Sequence, residues 1–175
     1  RKDLIMNKIK IAKNTNFFGT IYFLIIFSLG IILRLWWIHN VPTIQIYDFQ
    51  TYQELAVNIF LGAGFTLDGQ PAAFQGMGYP TALGYVYRLV GNTREMTAKY
   101  FNVILSALTM LAVYFTLLRL TSRKFVIYTA FAIVSLLPNY IAYNNVIGTE
   151  VFTVFLLSVI ILIQVYDLDS RIKLD

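Results

Sequence analysis

An all-α integral membrane fold, four transmembrane helices with a large outer loop carrying two amphipathic surface helices, is what three features of this 175-residue chain predict. Apolar residues make up 58 % of it and aromatic residues 16 %, with a mean hydropathy of +0.65, well beyond the roughly 45–50 % apolar of soluble domains. The apolar residues gather into uncharged runs near the ~20 residues that a spanning helix needs. Between the first two runs lies a semi-polar stretch, Asn40 to Gly91, with Asp48, Glu54 and Asp68 but no lysine. A soluble domain of the usual ~100–150 residues fits this pattern less well. The formal charge of +5 does not signal nucleic acid, because the lysines and arginines sit mostly at the ends of apolar runs, where they orient a membrane protein. With no cysteine there is neither a disulfide framework nor a thiolate metal site. An opening Arg1 in place of methionine fits a trimmed chain or a piece of a longer one.

Residues 1–16 form a basic N-terminus with Arg1, Lys2, Lys8, Lys10 and Lys13, which the positive-inside rule places in the cytoplasm. The first span, 17–38, is built on the uncharged run Phe17 to Leu33 and lacks the small-residue cleavage site of a signal peptide. Arg34, Trp36, Trp37 and His39 mark its exit as interfacial anchors. The loop 39–99 is then extracytoplasmic. Within it, Tyr52, Leu55, Ala56, Ile59 and Phe60 recur at helical spacing and predict a surface helix near 48–61, closed by Gly62-Ala63-Gly64. Leu67-Asp68-Gly69-Gln70-Pro71 reads as a turn, with Asp68 a turn residue. Pro80 near its start and Gly91 at its end punctuate a second surface helix at 79–90, too short for the ~17-residue minimum of a span.

The second span, 100–118, runs inward to the basic cytoplasmic link 119–124, which holds Arg119, Arg123 and Lys124. The third, 125–147, runs outward, with Pro138 a kink that spans tolerate when neighbours satisfy the freed backbone groups. After an outer turn at 148–150, the fourth, 151–166, returns to a cytoplasmic tail at 167–175. Both termini are therefore expected in the cytoplasm of a multi-pass cell-membrane protein.

This topology brings two carboxylates to one outer face. Asp48, at the start of the first surface helix, is expected as its N-cap, accepting backbone amides; a carboxylate so fixed is also well oriented for chemistry. Glu150 falls at the edge of the apolar core, where a charge must face water or a partner. Its two readings are a helix-start acid in the favourable first turn and a site residue.

The ordered set of Tyr47-Asp48-Phe49-x-x-Tyr52, Gly-x-Gly, Pro71-x-x-x-Gln75-Gly76-x-Gly78-Tyr79-Pro80, Leu137-Pro138 and Thr149-Glu150-x-Phe152 resembles the GT-C membrane glycosyltransferases. The likeness is to the bacterial glycosyltransferase family 39 and protein mannosyltransferase-like group, over roughly Ile25 to Val165. The resemblance implies transfer of a sugar from a polyprenyl-phosphate carrier at the outer face, with Asp48 as general base toward the acceptor hydroxyl. Glu150 would organise the donor or, as in the oligosaccharyltransferase branch, share a divalent metal ion with Asp48. Tyr79 and Tyr52 are candidates for substrate contact, Tyr79 by stacking on the sugar or lipid headgroup, and Arg88, Arg94 or Lys99 for the cation beside the phosphate. Gly76 and Gly78 would let backbone approach that phosphate. Two departures stand out. Phe49 follows Asp48 where relatives often carry an Asp-Glu pair, and relatives have about twice as many spans. The chain then matches an N-terminal half, whose partners would be membrane lipids, the lipid donor and either a missing C-terminal half or further copies of itself. The competing class is a non-catalytic four-span accessory or assembly subunit that docks through the loop.

Overall fold

The computed structural model describes residues 2–72 and 74–172, with side chains described over 18–72 and 74–167. The expected topological roles of Arg1, Lys2, Lys8, Lys10 and Lys13, and the expected tail from residue 168 onward, rest on side chains outside that range. About 78 % of the chain is helical. The elements are α1 (Lys2–Asn40), α2 (Asp48–Leu61), a two-stranded hairpin β1 (Thr66–Leu67) and β2 (Gln70–Pro71), α3 (Gly78–Val90), α4 (Glu95–Leu120), α5 (Lys124–Leu136), α6 (Pro138–Ala142), a 3₁₀ turn (Tyr143–Asn145) and α7 (Thr149–Ile172).

Among the described residues, three helices are long and apolar enough to cross a membrane: Phe18–Asn40, Glu95–Leu120 and Thr149–Asp167. A fourth crossing results if α5 and Pro138–Asn145 form one bent span. At the kink expected at Pro138 in the span 125–147, the helix is interrupted outright. Leu137 precedes a proline, and the ring of Pro138 disfavours helical backbone at that residue, so Leu137 is extended (φ −60°, ψ 122°) and the two parts meet at 45°. α4 begins at Glu95, earlier than the expected 100, and α7 at Thr149, so Glu150 lies in its first turn.

α4 is the centre of the bundle. In its most apolar window 44 % of residues are buried, against 17 % for α1 and 11 % for α7, and it packs on α1, α3, α5 and α7. The other two therefore show most of their apolar surface outward. A second core lies under α2 and α3, where Ala56, Tyr79, Leu83, Tyr87, Ala98 and Ile147 are all buried. The crossing of α2 and α3 is close because Gly84 has no side chain, and a Cβ there would sit 2.6 Å from Ile59 Cγ2.

Helix ends follow local chemistry. α2 stops at Gly62 (φ 85°) and α3 at Gly91 (φ 75°), left-handed conformations that glycine adopts without a Cβ penalty. The hairpin turns through Asp68 (φ 49°) and Gly69 (φ 75°), in keeping with the Asp-Gly signal. The N-cap expectation for Asp48 is displaced by one residue. Tyr47 (φ 52°, ψ −125°) precedes the helix, Asp48 is its first residue, and no side chain caps it.

Candidate functional site

The site grows from a junction between the segment 41–47, which joins α1 to α2, and the 3₁₀ turn with the residues that lead into α7. In a membrane-spanning fold every backbone group left by an irregular turn needs a partner. Here side chains supply them. Asn102 of α4 donates to the Val146 carbonyl (2.8 Å), and Ser106, one turn on, donates to Asn144 Oδ1 (2.8 Å). Gln45 donates through Nε2 to the Asn145 carbonyl (3.2 Å) and accepts through Oε1 from the Ile147 amide (2.9 Å). These residues hold the short connection that presents Glu150.

Beside it a cavity of about 280 Å³ opens between the helices, lined by Arg34, Ser106, Thr109, Asn139, Tyr140, Tyr143 and Glu150 and closed by apolar side chains such as Leu137 and Val154. That volume is close to the lower end of small-molecule sites, roughly 300–1,000 Å³. Glu150 Oε2 is buried with no hydrogen-bond partner among the described residues. Arg34, expected at the interface as an anchor, is instead 2 % exposed. Its Nη1 donates to the carbonyls of Gly30 (2.9 Å) and Ser135 (2.8 Å), and its Nε has no partner. Gly30 makes this possible, since a Cβ there would stand 3.2 Å from both Arg34 Nη1 and the Ser135 carbonyl. A buried cation in a span is expensive and marks a functional site by default. His39 remains exposed, bonded to the Leu35 carbonyl (2.7 Å) and the Tyr100 hydroxyl (2.9 Å).

The expected site residues divide. Glu150 lines the cavity, whereas Asp48 is exposed and outside its lining. The two are nevertheless neighbours by segment. A Cβ on Gly148 would meet both Glu150 Oε2 (2.2 Å) and Cε1 of Phe49 (2.9 Å), the residue after Asp48. Tyr79 is not available for stacking on a sugar: it is 1 % exposed, with Tyr52, Phe101 and Phe152 rings around it and its hydroxyl donating to Asn102 Oδ1 (3.1 Å). Burial pushes its phenol well above the usual range. Tyr52 is half-buried against its edge.

Arg88 caps the far end of α2 by donating to the Ile59 carbonyl and lies over the Tyr85 ring (5.5 Å). Eleven residues separate Ile59 from Asp48, roughly 16 Å of helix. Lys99 is buried in α4, and Arg94 is exposed at its start. A Cβ on Gly78 would touch Phe152 at 3.4 Å, so Gly78 serves helix packing. The cation that shares the cavity lining with Glu150 is Arg34, which the sequence suggested as an interfacial anchor. No group of three or more His, Asp or Glu side chains that could hold a metal ion occurs among the described residues. A cation at Glu150 would need water or a phosphate to complete its ligands.

Apolar helices packed around a polar centre, with a buried arginine and a carboxylate on one cavity, define a multi-helix membrane protein with an internal polar site. The family is set by sequence: the model for dolichyl-phosphate-mannose-protein mannosyltransferase matches residues 73–173, more than half of the chain, and the chain belongs to this family. It is a membrane glycosyltransferase in that general sense. Glu150, Tyr79 and Arg88 fall within the matched residues, and Asp48 and Tyr52 precede them. No curated protein and no solved structure gave a match.

Proposed function

We propose that this chain, or the enzyme it forms part of, transfers a hexosyl group, of the GT-C type, from a polyprenyl-phosphate donor to an acceptor hydroxyl at the outer membrane face. The observation that carries this reading is the cavity that holds Arg34 and Glu150 beside the junction from which Asp48 projects. Asp48, exposed to water, takes the proton of the acceptor hydroxyl as that oxygen attacks the anomeric carbon. The bond from that carbon to the carrier phosphate breaks, and the phosphate leaves with the negative charge. Arg34 offsets that charge from within the bundle, where a fixed cation acts in a low-dielectric setting. Glu150 orients the sugar by accepting its hydroxyls. In this reading α2 and α3 lie on the outer membrane surface, both termini are cytoplasmic, and the exposed faces of α1 and α7 meet lipid, a C-terminal half or a second copy. A divalent ion at Asp48 and Glu150 would supply further charge neutralisation.

The test is release of labelled sugar from a polyprenyl-phosphate sugar in membranes containing the chain. Asp48→Asn and Glu150→Gln should each lower turnover, by about 10²–10⁴-fold for the base. Full turnover in both variants would overturn the reading. The exposure of Asp48 outside the cavity favours one alternative, an accessory subunit docking through α2. In that case both amides would leave co-purification with a partner transferase unchanged, and the chain would show no turnover of its own.

A further inference from the structure

We propose that Gln45 is a positioning residue that keeps Asp48 in register with Glu150. Resting on the transferase reading above, the proposal assigns a role to a side chain remote in sequence from both the turn and Glu150. Gln45 lies in the non-helical segment between α1 and α2 and is only 9 % exposed. Its carboxamide behaves like a piece of backbone, giving a proton to the Asn145 carbonyl (3.2 Å) and taking one from the Ile147 amide (2.9 Å). Asn145 returns the clasp, its Nδ2 donating to the Val41 carbonyl (2.8 Å). Three hydrogen bonds thus join segments that are 100 to 104 residues apart.

The clasp joins the stretches of chain that lead directly into the two carboxylates. Asp48 follows Gln45 by three residues, and Glu150 follows Ile147 by three. On the Asp48 side the intervening Tyr47 has φ 52°, an unfavourable conformation for a ring-bearing residue, which persists only where its surroundings over-determine it. On the Glu150 side, Gly148 lets Phe49 and the Glu150 carboxylate approach one point. The turn itself is already tied to α4 by Asn102 and Ser106. The Gln45 and Asn145 bonds are what add the Asp48 segment to that frame. The chemistry demands an amide. A methionine has the length but neither bond, and a glutamate would accept from Ile147 while turning a second oxygen toward the Asn145 carbonyl.

The test uses the full chain in membranes. Gln45→Met and Gln45→Glu should lower kcat on the order of tenfold, as misplacement of a reacting group does, with KM for the lipid donor changed less than about twofold. On the Asp48→Asn background the same changes should cost almost nothing more, because the group being positioned is gone. A kcat unaffected by Gln45→Met, or a loss that persists in full on that background, overturns the proposal. A second readout does not depend on turnover. The chain has no cysteine, so spin labels at Gln50 and Tyr143, both exposed, report the two segments alone. Their distance distribution should be narrow and broaden in Gln45→Met; an unchanged distribution also overturns the proposal. Full turnover in Asp48→Asn and Glu150→Gln would instead sink the transferase reading, with the label distances still deciding whether Gln45 holds the segments together.

Discussion

A methyl group at Gly148 would stand 2.2 Å from one oxygen of Glu150 and 2.9 Å from the Phe49 ring. The carboxylate can swing away, but relieving the ring as well takes a rotamer change of Phe49 or a shift of α2. Gly148→Ala should therefore leave helix content by circular dichroism unchanged while lowering sugar transfer about tenfold or more. Arg34 poses the opposite question, since its charge is buried and bonded only to carbonyls. Replacing a buried ion by an apolar side chain of similar volume is often neutral for stability. Arg34→Met should then melt within a few degrees of the parent and lose turnover, while Arg34→Lys keeps a part of it. Retained turnover in Arg34→Met would reduce Arg34 to a tether between α1 and α5.

Among the elements, the α2–α3 crossing and the break at Pro138 each rest on one residue. Gly84→Ala forces a Cβ to 2.6 Å from Ile59 and 3.0 Å from the Ala56 carbonyl, an overpacking that costs typically 1–3 kcal/mol. Detergent melting should show this loss, and adding Ile59→Ala should recover part of the clash term, so that the double variant loses less than the sum of the singles. Pro138→Ala frees Leu137 to continue α5 into α6. Straightening the 45° bend would swing Asn139, Tyr140 and Tyr143, which form one wall of the cavity. A rise in KM for the lipid donor with the fold intact is the expected result, and an unchanged KM would mean that this wall does not touch the donor.

For the molecule as a whole, the phenols of α3 set an alkaline limit. Burial raises both Tyr79 and Tyr87 above the ordinary tyrosine value of about 10. Each folded-state value lies above the unfolded one, so the stability they contribute is fully present below pH ~10 and is lost as pH rises through the folded values. Melting temperature should hold between pH 7 and 9.5 and fall progressively above pH 10. Tyr79→Phe, which cannot ionise, should lower the starting stability by leaving Asn102 Oδ1 without its donor and should flatten that alkaline slope. An equal slope in the variant would place the sensitivity elsewhere.

Composition, periodicity and local turn signals alone determined that this chain is a helical membrane protein, that helices form near residues 48–61 and 79–90, and that the chain turns at Asp68 and Gly69, because apolar runs, glycine stops and the Asp-Gly turn act over a few neighbouring residues. The family was legible too, since it lies in the order of short motifs from Tyr47 to Phe152. Only the tertiary structure decided that Arg34 is buried beside a cavity, that Tyr79 belongs to a core rather than to a ligand, that Arg88 caps α2, and that Gln45, Asn102 and Asn145 clasp the turn before Glu150. Those roles come from contacts across tens to a hundred residues. A polar side chain in an apolar run shows in the sequence only that it needs a partner; which partner it finds is settled when the helices pack.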